Sequence, residues 1–376
     1  MKKSLLALCV LSSTAGAAHA QSTVTLFGVI DEGLNFTNNA GGHQLYALSS
    51  GDAEGSRWGL KGTEDLGNGL SAIFQLENGF NVNSGKFGQE GLEFGRQAFV
   101  SLSSATLGML TLGRQYDSVV DYLAPLTVNG NWGGQMFSHP YDNDNTDNTF
   151  RINNAIKYTS ISYAGFTFGG AYAFSNSTSF AVNRAESVGA QYTNGPLSVA
   201  AAYLNVDSPN DGSAGAVANL GPSGIGGSWT ASRQCVFGAG INYTIAAATL
   251  GFVYTNTDLS QPTATQYASL TASPTLGAAS SLKFNNFEVN AKYQLTPTFY
   301  VGGMYTYTQA SYDGTSSGST KPKYHLFGLM ADYNLSKRTD VYVQGTYMKV
   351  ASASGADGTG LESAANADVA VPSSSS

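Results

Sequence analysis

The chain has 376 residues, of which 11% are charged and 45 are glycine, whereas ordinary soluble proteins average about 25% charged and about 7% glycine. It is 42% hydrophobic with 21 tyrosines and 19 phenylalanines, yet beyond the amino terminus no run of about 18 apolar residues occurs, which excludes a transmembrane helix. The formal net charge is −7, and nothing in the sequence points to a nucleic-acid partner.

Residues 1–20 read as a secretory signal. Lys2 and Lys3 give its charged start, Leu5 to Leu11 its apolar core, and Ala18-His-Ala20 a small-residue cleavage site before Gln21. Its removal takes the charge from 18 − 25 = −7 to 16 − 25 = −9. Cys235 is then the one remaining cysteine, so no intramolecular disulfide can form. A closed hydrogen-bonded sheet would stabilise such an exported chain instead.

From there on, side chains alternate with period two. Trp58 and Leu60 share one strand face, which leaves Arg57 and Lys61 on the other. Ile152 and Ile156 are predicted to point outward, with Arg151 and Lys157 inward. Phe166, Phe168, Tyr172 and Phe174 alternate with small or polar neighbours, as do Leu197, Val199 and Tyr203, and then the odd positions of Phe287 to Leu295. Strands of about ten residues with one apolar face are the signature of outer-membrane β-barrels. Tyr158, Phe174, Tyr192, Tyr203, Tyr254 and Tyr293 suit the interfacial aromatic girdles of such a wall.

The connections alternate too. Short turns near 64–69, 105–108, 163–165, 193–196, 245–247, 295–297 and 335–338 are separated by long polar loops near 38–54, 79–92, 115–150, 175–184, 206–232, 259–281 and 311–322. That is the rhythm of short periplasmic turns and long extracellular loops. Fifteen strands are legible, the last near Asp340 to Val350. Residues 351–376 form an atypical polar tail with no aromatic-ended strand, although single-chain bacterial barrels have even strand counts.

The third long loop, 115–150, is far longer than an ordinary hairpin connection, which marks it as functional. It contains Asp117, Asp121, Asp142, Asp144 and Asp147, no Lys or Arg, and lies between Arg114 and Arg151. Opposed charges facing each other across a gap follow from this pattern. An arginine facing lipid at midplane costs about 2–4 kcal/mol, so the wall cations belong on the inside. Glu77, on the polar face of Phe74 to Asn78, either anchors the loop, holds a wall arginine or simply solvates the lumen. The run Asp142 to Asn148 lacks the glycine and glutamate of a calcium loop, since Asp147 and Asn153 stand there. His43, His139 and His325 show no metal spacing. No catalytic set and no cofactor are indicated, and the chain is not read as an enzyme.

Several stretches together resemble the trimeric general-diffusion porins of Gram-negative outer membranes, the beta-proteobacterial type in particular. They are Ser22 to Glu32, Ser56-Arg-Trp-Gly-Leu-Lys-Gly-Thr-Glu-Asp-Leu-Gly-Asn-Gly-Leu70, Phe94-Gly-Arg-Gln-Ala-Phe-Val100, Gly108-Met-Leu-Thr-Leu-Gly-Arg-Gln-Tyr-Asp117 and Asp142-Asn-Asp-Asn-Thr-Asp-Asn148. The resemblance spans about residues 21–350. It implies an all-β transmembrane antiparallel barrel of sixteen strands, assembled as a homotrimer in outer-membrane lipid and passing small hydrophilic solutes and ions. It further implies a constriction with Arg57, Lys61, Arg96 and Arg151 on the basic side and Asp117 and Asp121 on the acidic side; flanking Arg114 is set aside. The family ends in a strand with a terminal aromatic that the barrel-assembly machinery reads, and Ser376 departs from that pattern. Two alternatives stand beside passive diffusion: a channel of the same fold with a preferred solute class, and a surface adhesin acting through its long loops.

Overall fold

A computed structural model describes residues 23–212, 214–217, 229–265, 268–270, 272–316, 318–352 and 359–361. The signal expected at 1–20 and most of the polar tail expected at 351–376 lie outside the described residues. Fifteen wall strands follow one another in the sheet. They are β1 (Thr23–Val29), β2 (Arg57–Gly67), β3 (Leu70–Gly79), β4 (Gln97–Ser104), β5 (Gly108–Gln115), β6 (Ile152–Thr159), β7 (Phe166–Ala173), β8 (Arg184–Asn194), β9 (Leu197–Asp207), β10 (Arg233–Ile245), β11 (Ala248–Ser260), β12 (Ala279–Thr296), β13 (Phe299–Gly314), β14 (Lys323–Asn334) and β15 (Asp340–Ala351). Each pairs antiparallel with its sequence neighbour, and a two-residue strand, Ser319–Thr320, brings the sheet to sixteen. Tyr342 of β15 donates to Asp31, just past β1, at 2.6 Å, so the two ends of the sheet lie together. Among the described residues no strand pairs with the outer edge of β1 or of β15.

The alternation in β12 shows how sequence makes the wall. Asn286, Glu288 and Asn290 are buried inside, while Phe287 and Val289 are 39% and 49% exposed on the outside. Leu26, Val100, Phe252, Leu329 and Tyr347 continue this apolar outer face. So much contiguous apolar surface suits a wall that faces lipid rather than water. The hairpin turns use the residues their geometry demands. Asn68 and Gly69 between β2 and β3 both hold positive φ, 53° and 76°, as a tight two-residue turn between twisted strands requires.

Two expectations are corrected. The first long loop, expected at 38–54, largely forms a hairpin of two strands, Glu32–Ala40 and His43–Ser50, with Leu34 opposite Leu48 and Phe36 opposite Tyr46. Ile152 does not point outward: it is fully buried in the inner cluster with Phe150, Val206 and Val217. The cause is an irregularity. Pairing of β5 with β6 shifts between Gly113 and Gln115, and Asn154 takes a φ of 54°, so Ile152 and the outward Ile156 fall on opposite faces.

Candidate functional site

The chain between β5 and β6 folds inward and is seated along the inner wall. Asp117 accepts the Val119 amide at 2.7 Å, opening the single helical turn Val119–Leu123, and also accepts Asn145 Nδ2 at 2.7 Å, which ties the loop's start to its return. Asp121 pairs with Lys157 of β6 at 2.7 Å. Tyr122, Leu123 and Leu126 pack among wall residues of β7 to β11. Further along, Val128 N donates to Glu288 of β12 at 3.0 Å, and Gln135 Nε2 donates to the Gly51 carbonyl beyond the hairpin at 2.9 Å. Wall glycines make the close seating possible. A Cβ on Gly189 would stand 2.5 Å from the Tyr122 ring, and one on Gly302 2.5 Å from the Trp132 ring.

Opposite the seated face lies a cavity of about 990 Å³. The loop lines it with Asn129, Trp132, Gln135 and Asp147, while Asp31, Asp52, Glu54, Asp332 and Asp340 reach it from the side of β1, β14 and β15. Arg57, Arg96, Arg114 and Arg151 all open on it. Each stands at or next to the end of a strand, where its side chain clears the wall and meets the loop.

The arginines are neither free nor fully neutralised. Arg96 Nε lies 2.6 Å from Glu77, which is also 3.7 Å from Arg57, and Glu54 pairs with Arg57 at 2.9 Å. Tyr116 holds the centre, with its hydroxyl 3.4 Å from Arg96 and its ring 5.6 Å from the Arg151 guanidinium. Arg151 is buried, and burial together with the Arg96 charge pulls it down to about 10, so it remains cationic at neutral pH. Among the described residues its Nε has no protein acceptor. Arg114 donates to the Gly95 carbonyl at 2.8 Å and to Asn153.

The structure therefore brings Arg57, Arg96 and Arg151 together around one cavity and adds Arg114, which the sequence pattern had set aside. Lys61 does not join them; it is exposed and lies 5.3 Å from the Phe27 ring, four residues further along β2. Glu77 holds wall arginines. Asp117 and Asp121 do not line the cavity: the first is fully buried in the loop's own hydrogen bonds and the second is spent on Lys157. A loop has no period from which the pointing of a carboxylate can be read, so Asp147 did not stand out from the other acids of the loop; Asp31, Asp52, Glu54, Asp332 and Asp340 were not singled out. Arg114 could have been found from its pairing opposite Ala98, two residues past Arg96.

A family model described as Gram-negative porin matches residues 7–352. An outer membrane porin protein of Bordetella pertussis is 34% identical over 386 residues, covering 93% of this chain and 94% of that protein. Outer membrane porin protein 32 of Delftia acidovorans is 31% identical, covering 94% and 91%. Among solved structures, the anion-selective porin from Comamonas acidovorans superposes with a TM-score of 0.65 at 26% identity over 88% of this chain and 90% of that one. The trimer form of OmpT from Vibrio cholerae shares the fold, with a TM-score of 0.62 at 16% identity over 94% and 95%.

Proposed function

This chain belongs to the Gram-negative porin family and is a passive diffusion channel of the outer membrane; on that premise we propose that Arg57, Arg96, Arg114 and Arg151 form the basic wall of its constriction. Carboxylates beside β1, β14 and β15, with Asp147 on the loop, form the acidic side. The supporting observation is that four guanidiniums from separate strand ends open on one cavity beneath a loop folded into the lumen. Charge arranged across a water-filled pore orients dipolar solutes and disfavours large apolar ones, which would have to displace ordered water.

The channel favours anions in this proposal. Arg96, Arg114 and Arg151 share the neighbourhood of Tyr116, where Glu77 pairs with Arg96 and acts on Arg151 while Glu90 acts on Arg114, and the Comamonas relative is described as anion-selective. The experiment is Arg96→Glu in planar bilayers under a salt gradient. The reversal potential should move toward cations, with the anion-to-cation permeability ratio falling by about threefold or more. An unchanged reversal potential would remove Arg96 from the constriction.

The working unit in this proposal is a homotrimer embedded in lipid through its apolar outer face and folded by the barrel-assembly machinery after loss of residues 1–20. Residues 21–350 form the barrel and 115–150 its constriction loop. The channel carries out no covalent step and uses no cofactor.

A further inference from the structure

The loop's attachment to the far wall is centred on a side chain that touches no part of the cavity. His139 is fully buried, with Nδ1 2.6 Å from Asp144 and Nε2 3.2 Å from Glu288, both of which are fully buried as well. Asp144 belongs to the loop and Glu288 to β12, so the ring bridges the two. A neutral imidazole carries one N–H, and a carboxylate offers no proton in return. With both carboxylates ionised, two such contacts at hydrogen-bond distance require the imidazolium.

The surrounding donors fit that reading. Asp144 also accepts Thr255 Oγ1 from β11, Asn286 Nδ2 from β12 at 3.4 Å and Thr146 Oγ1 at 2.9 Å. Glu288 accepts the Val128 amide at 3.0 Å and Asn290 Nδ2 at 2.7 Å. Nearby, Asn143 O accepts Gln234 from β10 at 3.2 Å and Thr257 from β11 at 3.1 Å. Asp142, the neighbouring acid of the loop, feels the charge of Asp144 but turns its own oxygens to the amides of Asp147 and Thr149. Two carboxylates and one cation leave a single net negative charge, which this set of donors absorbs. Without the cation two charges would share a dry pocket, an arrangement costly enough to expel part of the loop.

We infer that His139 is the positioning residue of the constriction: a doubly donating imidazolium that ties the loop to β12 and so fixes the aperture from outside the path of the solute. This rests on the loop forming one side of the constriction, a reading that Arg96→Glu tests separately through the reversal potential. Burial alone would lower the ring's proton affinity, but Asp144 and then Glu288 raise it to about 10.

The test compares single-channel recordings at neutral pH for the wild type, His139→Gln, Glu288→Gln and the double variant. His139→Gln should close about tenfold more often, the scale set by losing one charge-assisted hydrogen bond. Glu288→Gln removes the charge at the wall end of the same bridge and should also close about threefold or more as often as the wild type, and because both changes break one bridge, the double variant should be less noisy than the product of the two single effects. An unaltered closing rate in either single variant, or single effects that multiply in full in the double variant, would overturn the inference. Should His139→Gln fail to insert, nitrogen NMR decides in a folded channel carrying His43→Gln and His325→Gln, where His139 is the one histidine beyond the signal. Two protonated ring nitrogens at pH 8 are expected; a neutral ring would refute the proposal.

Discussion

Single side chains divide the labour of the constriction, and Glu77 governs how much positive charge it keeps. Its carboxylate accepts from Arg96 and Gln97, lies 3.7 Å from Arg57, and accepts Gln75 at 2.8 Å on its own strand. Glu77→Gln should therefore move the reversal potential toward anions, opposite in sign to Arg96→Glu. It should also lower the temperature at which the folded band is lost on a gel, because Arg96 loses its counter-charge and Arg57 is left with Glu54 alone. A reversal potential that stays put would mean that solvent, not Glu77, screens the arginines. These wall residues were legible because strand alternation fixes a direction: once Trp58 and Leu60 face lipid, Arg57 faces water. The loop offered no such rule. Asp117 looked like any other aspartate there, and only its bonds to Val119 and Asn145 reveal that it holds the loop's shape rather than the solute's path.

At the scale of elements, the inward loop depends on the wall being carved to receive it. Gly302 of β13 and Gly189 of β8 leave room for the Trp132 and Tyr122 rings, and Gly328 of β14 does the same for Phe137, which a Cβ there would approach to 2.4 Å. Gly302→Leu should lift the Trp132 end of the loop into the cavity and reduce single-channel conductance by about half, whereas Gly345→Leu, with nothing within 4 Å of its Cβ position, should leave conductance unchanged. Equal conductance in both would show that the loop is not seated by shape. All fifteen long strands were readable from alternation and turn chemistry, but two local features were not. The hairpin at Glu32–Ser50 escaped because its polar Thr-Asn-Asn and Gly-Gly segments resemble loop, and the inward turn of Ile152 because one residue of positive φ resets a strand's phase without any mark in the hydrophobic pattern.

For the whole molecule, the buried acids and His139 set how stability follows pH. Burial raises Asp117 to about 6 from 3.8, and burial with the charge of Asp144 raises Asp142 too, while His139 stands at about 10 against 6.5. Groups with raised pKa bind more protons in the folded state, so their stabilisation is present at low pH and lost as pH rises through the folded values. Asp144 has the opposite sign: burial pushes it up, but the His139 charge holds it below 3.8, and its contribution is lost as pH falls beneath that value. Thermal unfolding in detergent should therefore be highest near about pH 4 and decline toward about pH 10. A midpoint that rises from pH 5 to pH 9 would contradict the assignment of His139 and Asp117. The loop's two faces carry one further consequence. Tyr122, Phe137, His139 and Asp144 fasten it without lining the cavity, Asn129 and Asp147 line the cavity, and only Trp132 and Gln135 among the residues named do both. Bore and charge are thus written in different residues, so a lineage of such channels can retune which ions it admits by changing exposed positions alone, without renegotiating the width of the opening.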